Sequence, residues 1–173
     1  MEIFLNYYLE MVCEIIQFCL NQLSFSSFSN LSRVQNMSII KIEGVIATGE
    51  GQATSFTQLD WAADAFLKYL NIRCYPGTVN IKVISSENLL RWSAVKKWSG
   101  IVLPPPESNW CASRAWHTRI NNKVFGAIIL PEIGSYPENK IELISAVSVR
   151  RVLNLMDNDE VFLEVTDSTK AFS

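Results

Sequence analysis

The sequence has few of the residues from which metal and nucleic-acid sites are usually built. Its 173 residues include one histidine, His117, and four cysteines, none of which forms a Cys-x-x-Cys pair. A structural zinc site is therefore not expected. The formal net charge is −2, and no excess of Lys and Arg supports binding to nucleic acid. An anionic ligand would have to be held by local Arg or Lys side chains, backbone N–H groups or a metal ion.

The N-terminal stretch is strongly apolar but lacks the features of a targeting or membrane segment. Glu2, Glu10 and Glu14 interrupt it, and no basic run precedes it, which fits neither a signal peptide nor a membrane span. A Ser-rich run follows up to Met37. We expect residues 1–36 to be a helical extension and linker outside the domain, with Met37 as a candidate true start. The alternative is an amphipathic helix for a membrane surface or a partner. Nothing suggests secretion, so we expect free thiols and a cytoplasmic protein.

From Ile39 onward the sequence predicts mostly β-structure. Short apolar or alternating runs predict strands, namely SIIKIEGVIAT, TVNIKVI, GIVL, VFGAIIL, KIELIS and EVFLEV. Residues 110–130 predict a hairpin with its turn at residues 121–123. About six short strands without long βαβ alternation favour a mainly β fold, a closed antiparallel barrel with one or two inserted short helices. We expect this domain to span residues 37–167, followed by a tail at 168–173.

Two helices are predicted between these strands. The first follows Thr57, a plausible N-cap, and its apolar face is expected to contain Phe66, Leu67 and Leu70 together with Ala63. The second covers residues 86–97 and begins at Ser86 as its cap. A short third helix is predicted in AVSVRRVLNL.

The loop at residues 48–56, TGEGQATSF, contains a Gly-x-Gly pattern. Glycines let the backbone approach a ligand closely, and consecutive N–H groups can face phosphate oxygens. Such a short pattern is also common in ordinary strand-to-helix loops.

The segment CYPGTVNIKV places Thr78 and Asn80 two residues apart after a Pro-Gly turn. In an extended strand such residues point to the same face. Their neutral oxygens would suit Mg²⁺, which takes its remaining ligands from water and phosphates. Taken alone, the pair is better explained by the preference of Thr for strands and of Asn for turns.

The segment KIELISAVSVRR contains Glu142 within an apolar strand and two arginines beyond it. Alternation makes Glu142 either solvent-facing or a ligand contact. One arginine would suit a phosphate, and for Arg151 a solvated helix face is the simpler interpretation. His117 and Cys111 are expected to be structural or exposed. The tryptophans are expected in the core or in an interface, with Trp116 left open.

Taken in order, these segments resemble one family. EGVIATGEGQATSF, CYPGTVNIKV, GAIILP and IELISAVSVRRVLNLMDNDEVFLEV follow the pattern of the archaeal-type CTP-dependent riboflavin kinases, from about Ile39 to Val165. The resemblance implies a compact six-stranded antiparallel cradle-loop barrel. It also implies a monomeric enzyme that transfers the γ-phosphoryl group of CTP to the 5′-hydroxyl of riboflavin, giving FMN and CDP.

The resemblance also assigns roles to particular positions. Thr78 and Asn80 would hold Mg²⁺, and Glu142 would contact the flavin together with the residue at Gly134. Glu142 is also the carboxylate to consider as a base. The nucleotide would be bound by two segments, Gly49, Glu50, Gly51, Gln52, Ala53 and Thr54 in the loop and Val147, Ser148, Val149 and Arg150 later in the chain.

Four positions depart from the family pattern. Ala53 replaces a glycine of the nucleotide loop, and Gly134 replaces a Thr, so one flavin hydrogen bond is lost. Tyr136 replaces a His, and Asn158 replaces a Gly while still tolerating a left-handed turn. The alternative function is a non-catalytic barrel of the same fold that binds a nucleotide or a flavin, or an interaction module. The near-neutral charge argues against a DNA-binding variant.

Overall fold

A computed structural model describes residues 38–49, 56–107 and 110–167. The strands are β1 (Ile39–Ala47), β2 (Val79–Lys82), β3 (Ile101–Leu103), β4 (Ser113–Ile120), β5 (Val124–Pro131), β6 (Lys140–Ser145) and β7 (Glu160–Thr166). The helices are α1 (Asp60–Leu70), α2 (Ser86–Val95) and α3 (Val149–Val152). The predictions for residues 1–36 and for the tail at 168–173 lie outside the described residues.

The predicted barrel is confirmed. The strands follow the order β3-β4-β5-β6-β2-β1-β7, every pairing is antiparallel, and β7 pairs in addition with β4. That last pairing joins Thr118 to Val165 and Ile120 to Leu163, so six strands form a closed ring. β3 lies outside the ring and pairs with the first residues of β4. Closure leaves the six ring strands without a free edge.

Strand alternation separates an inner apolar face from an outer face on which polar residues can lie. The interior cluster includes Ile42, Ile81, Ile141 and Leu163, all nearly inaccessible to solvent. α2 adds Trp92 to the same cluster, where its ring meets Trp116 edge to face at 5.9 Å. Each fully buried side chain of this kind contributes about 2 kcal/mol to folding. The tryptophan left open by the sequence is therefore a core residue.

α1 packs against the outside of the barrel. Its buried residues Ala62, Phe66 and Leu70 contact a second cluster that includes Ile129 of β5 and Ile144 of β6. The predicted face was wrong in part, because Leu67 is exposed and Ala62 is buried. The outer face is thus apolar under α1.

Thr57 does not cap α1 as predicted. The N-cap position is Leu59, with no side-chain cap, whereas the Thr57 hydroxyl accepts a hydrogen bond from the N–H of Gly77 at 2.8 Å. The Thr57 hydroxyl oxygen therefore accepts a hydrogen bond from a distant residue instead of capping the helix. The cap of α2 is Ser85, one residue before the predicted Ser86, and it accepts from Asn88 N at 3.2 Å.

The remaining turns and isolated residues follow the predictions. The β4–β5 hairpin turns at Asn121 and Asn122, whose φ angles are 46° and 57°. Asn158 also has a left-handed φ of 70°. The Nε2 atom of His117 lies 3.0 Å from the carbonyl oxygen of Leu70, which is a structural role, and Cys111 is exposed. None of the helices that the structure describes is long and apolar enough to cross a membrane.

Candidate active site on the outer face of the barrel

The turn before β2 fixes where that strand begins. Gly77 has a φ of 97°, a conformation that side-chain-bearing residues rarely adopt. Its N–H is held by the hydroxyl of Thr57. Because both backbone conformation and position are set at Gly77, β2 begins at a defined place, with Thr78 directly before the strand and Asn80 within it.

Thr78 and Asn80 present two buried oxygens without partners. Among the described residues, neither Thr78 Oγ1 nor Asn80 Oδ1 has a hydrogen-bond partner, and Asn80 is only 8% exposed. A buried polar atom left unpaired typically costs about 1–3 kcal/mol. Such a cost at two neighbouring positions points to a ligand. Neutral oxygens of this kind fit a hard divalent cation.

A cation bound by this pair would need further ligands. Within the described ranges, no three His, Cys, Asp or Glu residues come together to form a metal site. A cation at Thr78 and Asn80 would therefore take its other ligands from water and from the anionic groups of a substrate, as Mg²⁺ does with phosphates.

The start of the predicted nucleotide loop touches Asn80. A Cβ atom built on Gly49 would overlap the Asn80 side-chain amide, so only glycine fits here without a shift. In the strand register, Asn80 lies between Ala47 of β1 and Glu142 of β6. Gly49, Asn80 and Lys140 together line a cavity of about 280 Å³. The other loop positions, Glu50, Gly51, Gln52, Ala53 and Thr54, lie outside the described residues.

The second predicted nucleotide segment lies beside Thr78, whereas the start of the first lies beside Asn80. Thr78 lines a separate cavity of about 140 Å³ together with four consecutive residues, Val147, Ser148, Val149 and Arg150. Two segments that are about 70 residues apart in the sequence therefore meet at one side of β2.

Arg150 is tied to the end of β1 through Asp157. Its guanidinium donates to Asp157 Oδ1 at 2.6 Å and to the carbonyl oxygen of Ala47 at 2.8 Å. The hydroxyl of Thr48 donates to the other oxygen of Asp157. The hydrogen bonds from Thr48 and then from Arg150 hold the pKa of Asp157 below its usual range. This network connects α3 to the residue that precedes Gly49.

Glu142 lies beside Asn80, on the outer face of β6. Its carboxylate is half-buried and pairs with the ammonium group of Lys140 at 2.7 Å. On its other side the register places Ile129, which belongs to the apolar cluster under α1. Glu142 thus lies between the apolar cluster under α1 and Asn80 of β2.

Gly134 lies apart from these contacts. It is exposed in the β5–β6 connection, and a Cβ built on it would meet nothing within 4 Å. Space is therefore available for a larger residue at this position. Cys74, upstream of the turn, is no nucleophile at neutral pH, because burial raises its pKa to about 11.

Sequence reasoning assigned no role to four residues of this region, namely Thr48, Tyr136, Lys140 and Asp157. Lys140 and Glu142 are two apart in a predicted strand, which already places them on one face. Asp157 follows Arg150 by seven residues in an irregular segment, and no periodicity connects the two. Their pairing depends on how the chain returns from α3 to β7.

Comparison with known proteins gives this site its family. The family model described as CTP-dep_RFKase, domain of unknown function DUF120, matches residues 46–165. The chain belongs to the archaeal-type CTP-dependent riboflavin kinase family. The matched segment contains every candidate site residue named above, so the resemblance seen in the sequence is confirmed.

Three riboflavin kinases illustrate the similarity within this family. That of Methanobrevibacter smithii is 34% identical over 125 residues, which cover 72% of this chain and 99% of that protein. That of Sulfurisphaera tokodaii is 34% identical over 133 residues, covering 73% and 96%. That of Sulfolobus acidocaldarius is 32% identical over 133 residues, covering 73% and 82%.

Proposed function

We propose that the protein is a CTP-dependent riboflavin kinase. The reaction transfers the γ-phosphoryl group of CTP to the ribityl 5′-hydroxyl of riboflavin and gives FMN, CDP and a proton. The observation that carries the proposal is the pair of buried, unpaired oxygens, Thr78 Oγ1 and Asn80 Oδ1. Asn80 shares one cavity with Gly49 of the first predicted nucleotide segment, and Thr78 shares another with the second segment, residues 147–150.

Thr78 and Asn80 are the proposed ligands of Mg²⁺. When bound there, the cation would neutralise phosphate charge and orient the phosphates, which is the usual function of the metal in phosphoryl transfer. The chain's own contribution is to fix two neutral oxygens on one strand face. Positioning and charge neutralisation account for most of the catalysis in such reactions, so few chemically reactive side chains are needed.

The nucleotide is proposed to bind to both segments beside β2. Gly49, Glu50, Gly51, Gln52, Ala53 and Thr54 form the first, and Val147, Ser148, Val149 and Arg150 form the second. The close approach of Gly49 to Asn80 supports a role for loop backbone near the metal pair. Arg150 supplies positive charge at the same side, and Asp157 keeps its guanidinium oriented.

The flavin is proposed to bind next to Glu142, with Gly134 facing it from the preceding loop. A carboxylate accepts hydrogen bonds from the ribityl hydroxyls or the ring N–H of riboflavin. Glu142 is also the carboxylate closest in register to the proposed metal ligands, which makes it the candidate base for the 5′-hydroxyl.

The direct test is to incubate the protein with Mg²⁺, riboflavin and either CTP or ATP, and to separate the flavins by chromatography. We expect FMN with both the flavin and CTP present, more slowly with ATP, and none when EDTA removes the metal. FMN formed equally well from ATP would refute the CTP preference alone. No FMN with any nucleoside triphosphate would refute the kinase and favour the non-catalytic flavin- or nucleotide-binding barrel.

A further inference from the structure

Lys140 and Glu142 form an ion pair that differs from ordinary surface pairs. They lie two residues apart on the outer face of β6, with Nζ and Oε1 separated by 2.7 Å. Their side chains are 36% and 20% exposed, so solvent screens this pair less than a fully exposed one. Directly opposite Lys140 in the register lies Lys82, an exposed residue of the same charge with no ion pair among the described residues.

Tyr136 completes the surroundings of the Glu142 carboxylate. The Lys140 ammonium lies 5.5 Å from the centre of the Tyr136 ring. The Tyr136 hydroxyl is buried and lies beside the Glu142 carboxylate. Burial, then the negative charge of Glu142 and the interaction of the hydroxyl with that carboxylate, raise the pKa of Tyr136, so the hydroxyl remains a neutral donor. Its ring packs against the barrel interior, which limits where the hydroxyl can move.

We propose that Tyr136 and Lys140 act as positioning residues that hold the Glu142 carboxylate in one orientation for a hydrogen-bond donor of the flavin. The inference rests on the proposed function and deepens it. Lys140 occupies Oε1, which leaves the second carboxylate oxygen to accept from the ligand. The Tyr136 hydroxyl lies beside the same carboxylate as a neutral donor that can hold it in place.

The position of Lys140 and Tyr136 explains why they act on the flavin side of the site. Asn80 is the neighbour of Glu142 on one side and Ile129 is the neighbour on the other. The carboxylate therefore lies between the proposed cation ligand and the edge of the cluster under α1. Holding one oxygen at Lys140 leaves the other for a donor of the ligand.

The positioning role of Tyr136 and Lys140 is tested by riboflavin binding in the absence of nucleotide. Quenching of flavin fluorescence measures this binding. We expect Lys140→Met and Tyr136→Phe each to raise the riboflavin Kd about tenfold, the size of one lost charge-assisted hydrogen bond. Lys140→Arg retains the cation and is expected to keep most of the affinity. Lys82→Met is the matched control, because it removes the same charge from the facing strand, and its Kd is expected to stay within about twofold of the wild type.

A double-substitution cycle separates positioning of Glu142 from a general structural effect. In a Glu142→Gln background, adding Lys140→Met is expected to change the riboflavin Kd by less than about twofold, because no carboxylate is left to hold. Additive effects, or equal effects of Lys140→Met and Lys82→Met, would overturn the inference, as would a wild type that does not bind riboflavin. A wild type that binds riboflavin but forms no FMN would refute the proposed kinase activity. The riboflavin Kd values would still show whether Tyr136 and Lys140 position Glu142.

Discussion

At the scale of single residues, the proposed metal site depends on two buried oxygens. Each of them destabilises the folded protein when it has neither a hydrogen-bond partner nor a ligand. Thr78 Oγ1 and Asn80 Oδ1 are buried without partners among the described residues. Natural proteins commonly keep such unfavourable groups where function requires them. Substitutions at these positions can therefore show whether a group needed for function lowers the free energy of unfolding.

We predict that Thr78→Val leaves the free energy of unfolding unchanged or raises it by about 1 kcal/mol, because the substitution removes an unpaired buried hydroxyl at nearly constant volume. The matched control is Thr118→Val, since the buried Thr118 hydroxyl donates to the carbonyl oxygen of Glu164 at 3.1 Å. That variant should lose about 1 kcal/mol. Urea denaturation compares the two. Equal destabilisation would show that the Thr78 hydroxyl has a structural partner.

Asp157 gives a prediction about pH. Its pKa is lowered by Thr48 and Arg150, so its ionised form favours the folded state. That contribution is complete above the ordinary aspartate pKa of about 3.9 and disappears as the pH falls through the lower folded-state pKa. We expect Asp157→Asn to melt at a lower temperature than the wild type at pH 7, with a difference that vanishes in acid.

The control for Asp157 is Asp64→Asn, at an exposed position on α1 without an ion pair among the described residues. Its melting temperature should follow that of the wild type across the same pH range. A difference for Asp157→Asn that persists unchanged into strong acid would contradict the role of its charge.

At the scale of elements, β2 and the turn before it place the proposed metal ligands. We predict that Gly77→Ala lowers the free energy of unfolding by about 1–2 kcal/mol, because alanine is strained at a φ of 97°. Gly134→Ala is the control, since that glycine is exposed and its new methyl group meets nothing within 4 Å. Denaturation curves of both variants give the comparison. A neutral Gly77→Ala would mean that the turn does not fix the strand.

Local pattern was enough to predict much of this element, and tertiary contacts explain the rest. Alternation predicts Thr78 and Asn80 on one face, and in the structure Thr78 directly precedes β2 while Asn80 lies within it. Alternation does not say that Asn80 lies opposite Glu142, because the pairing of β2 with β6 joins residues about 60 positions apart. The Thr57 cap was wrong for a similar reason, since Gly77 competes for the same oxygen.

At the scale of the whole molecule, the described barrel closes on itself between Ile39 and Thr166. We expect the active form to be a monomer, as the resemblance to the family implies. The order of strands around the barrel follows from nonlocal pairing, such as that of β4 with β7, which no local pattern predicts. The resemblance to a family supplied that part of the fold.

The domain boundary at Met37 leads to another prediction. We expect residues 37–173 expressed alone to unfold in one cooperative transition, with a melting temperature within about 4 °C of the full chain, since that shift corresponds to roughly 1 kcal/mol or less. They should also form FMN at a comparable rate. An unfolded or inactive shortened chain would show that residues 1–36 are required by the domain.

The most direct test of the central claim is the kcat/KM of Asn80→Ala for riboflavin in FMN formation, measured at saturating Mg²⁺ and CTP. Circular dichroism of the same variant shows whether the barrel is intact. The account predicts a loss of at least about 100-fold, because a proposed metal ligand is removed and even indirect metal contacts are worth about 10–100-fold. Folded Asn80→Ala with kcat/KM within about threefold of the wild type would contradict the account, since Asn80 would then hold no cation needed for phosphoryl transfer.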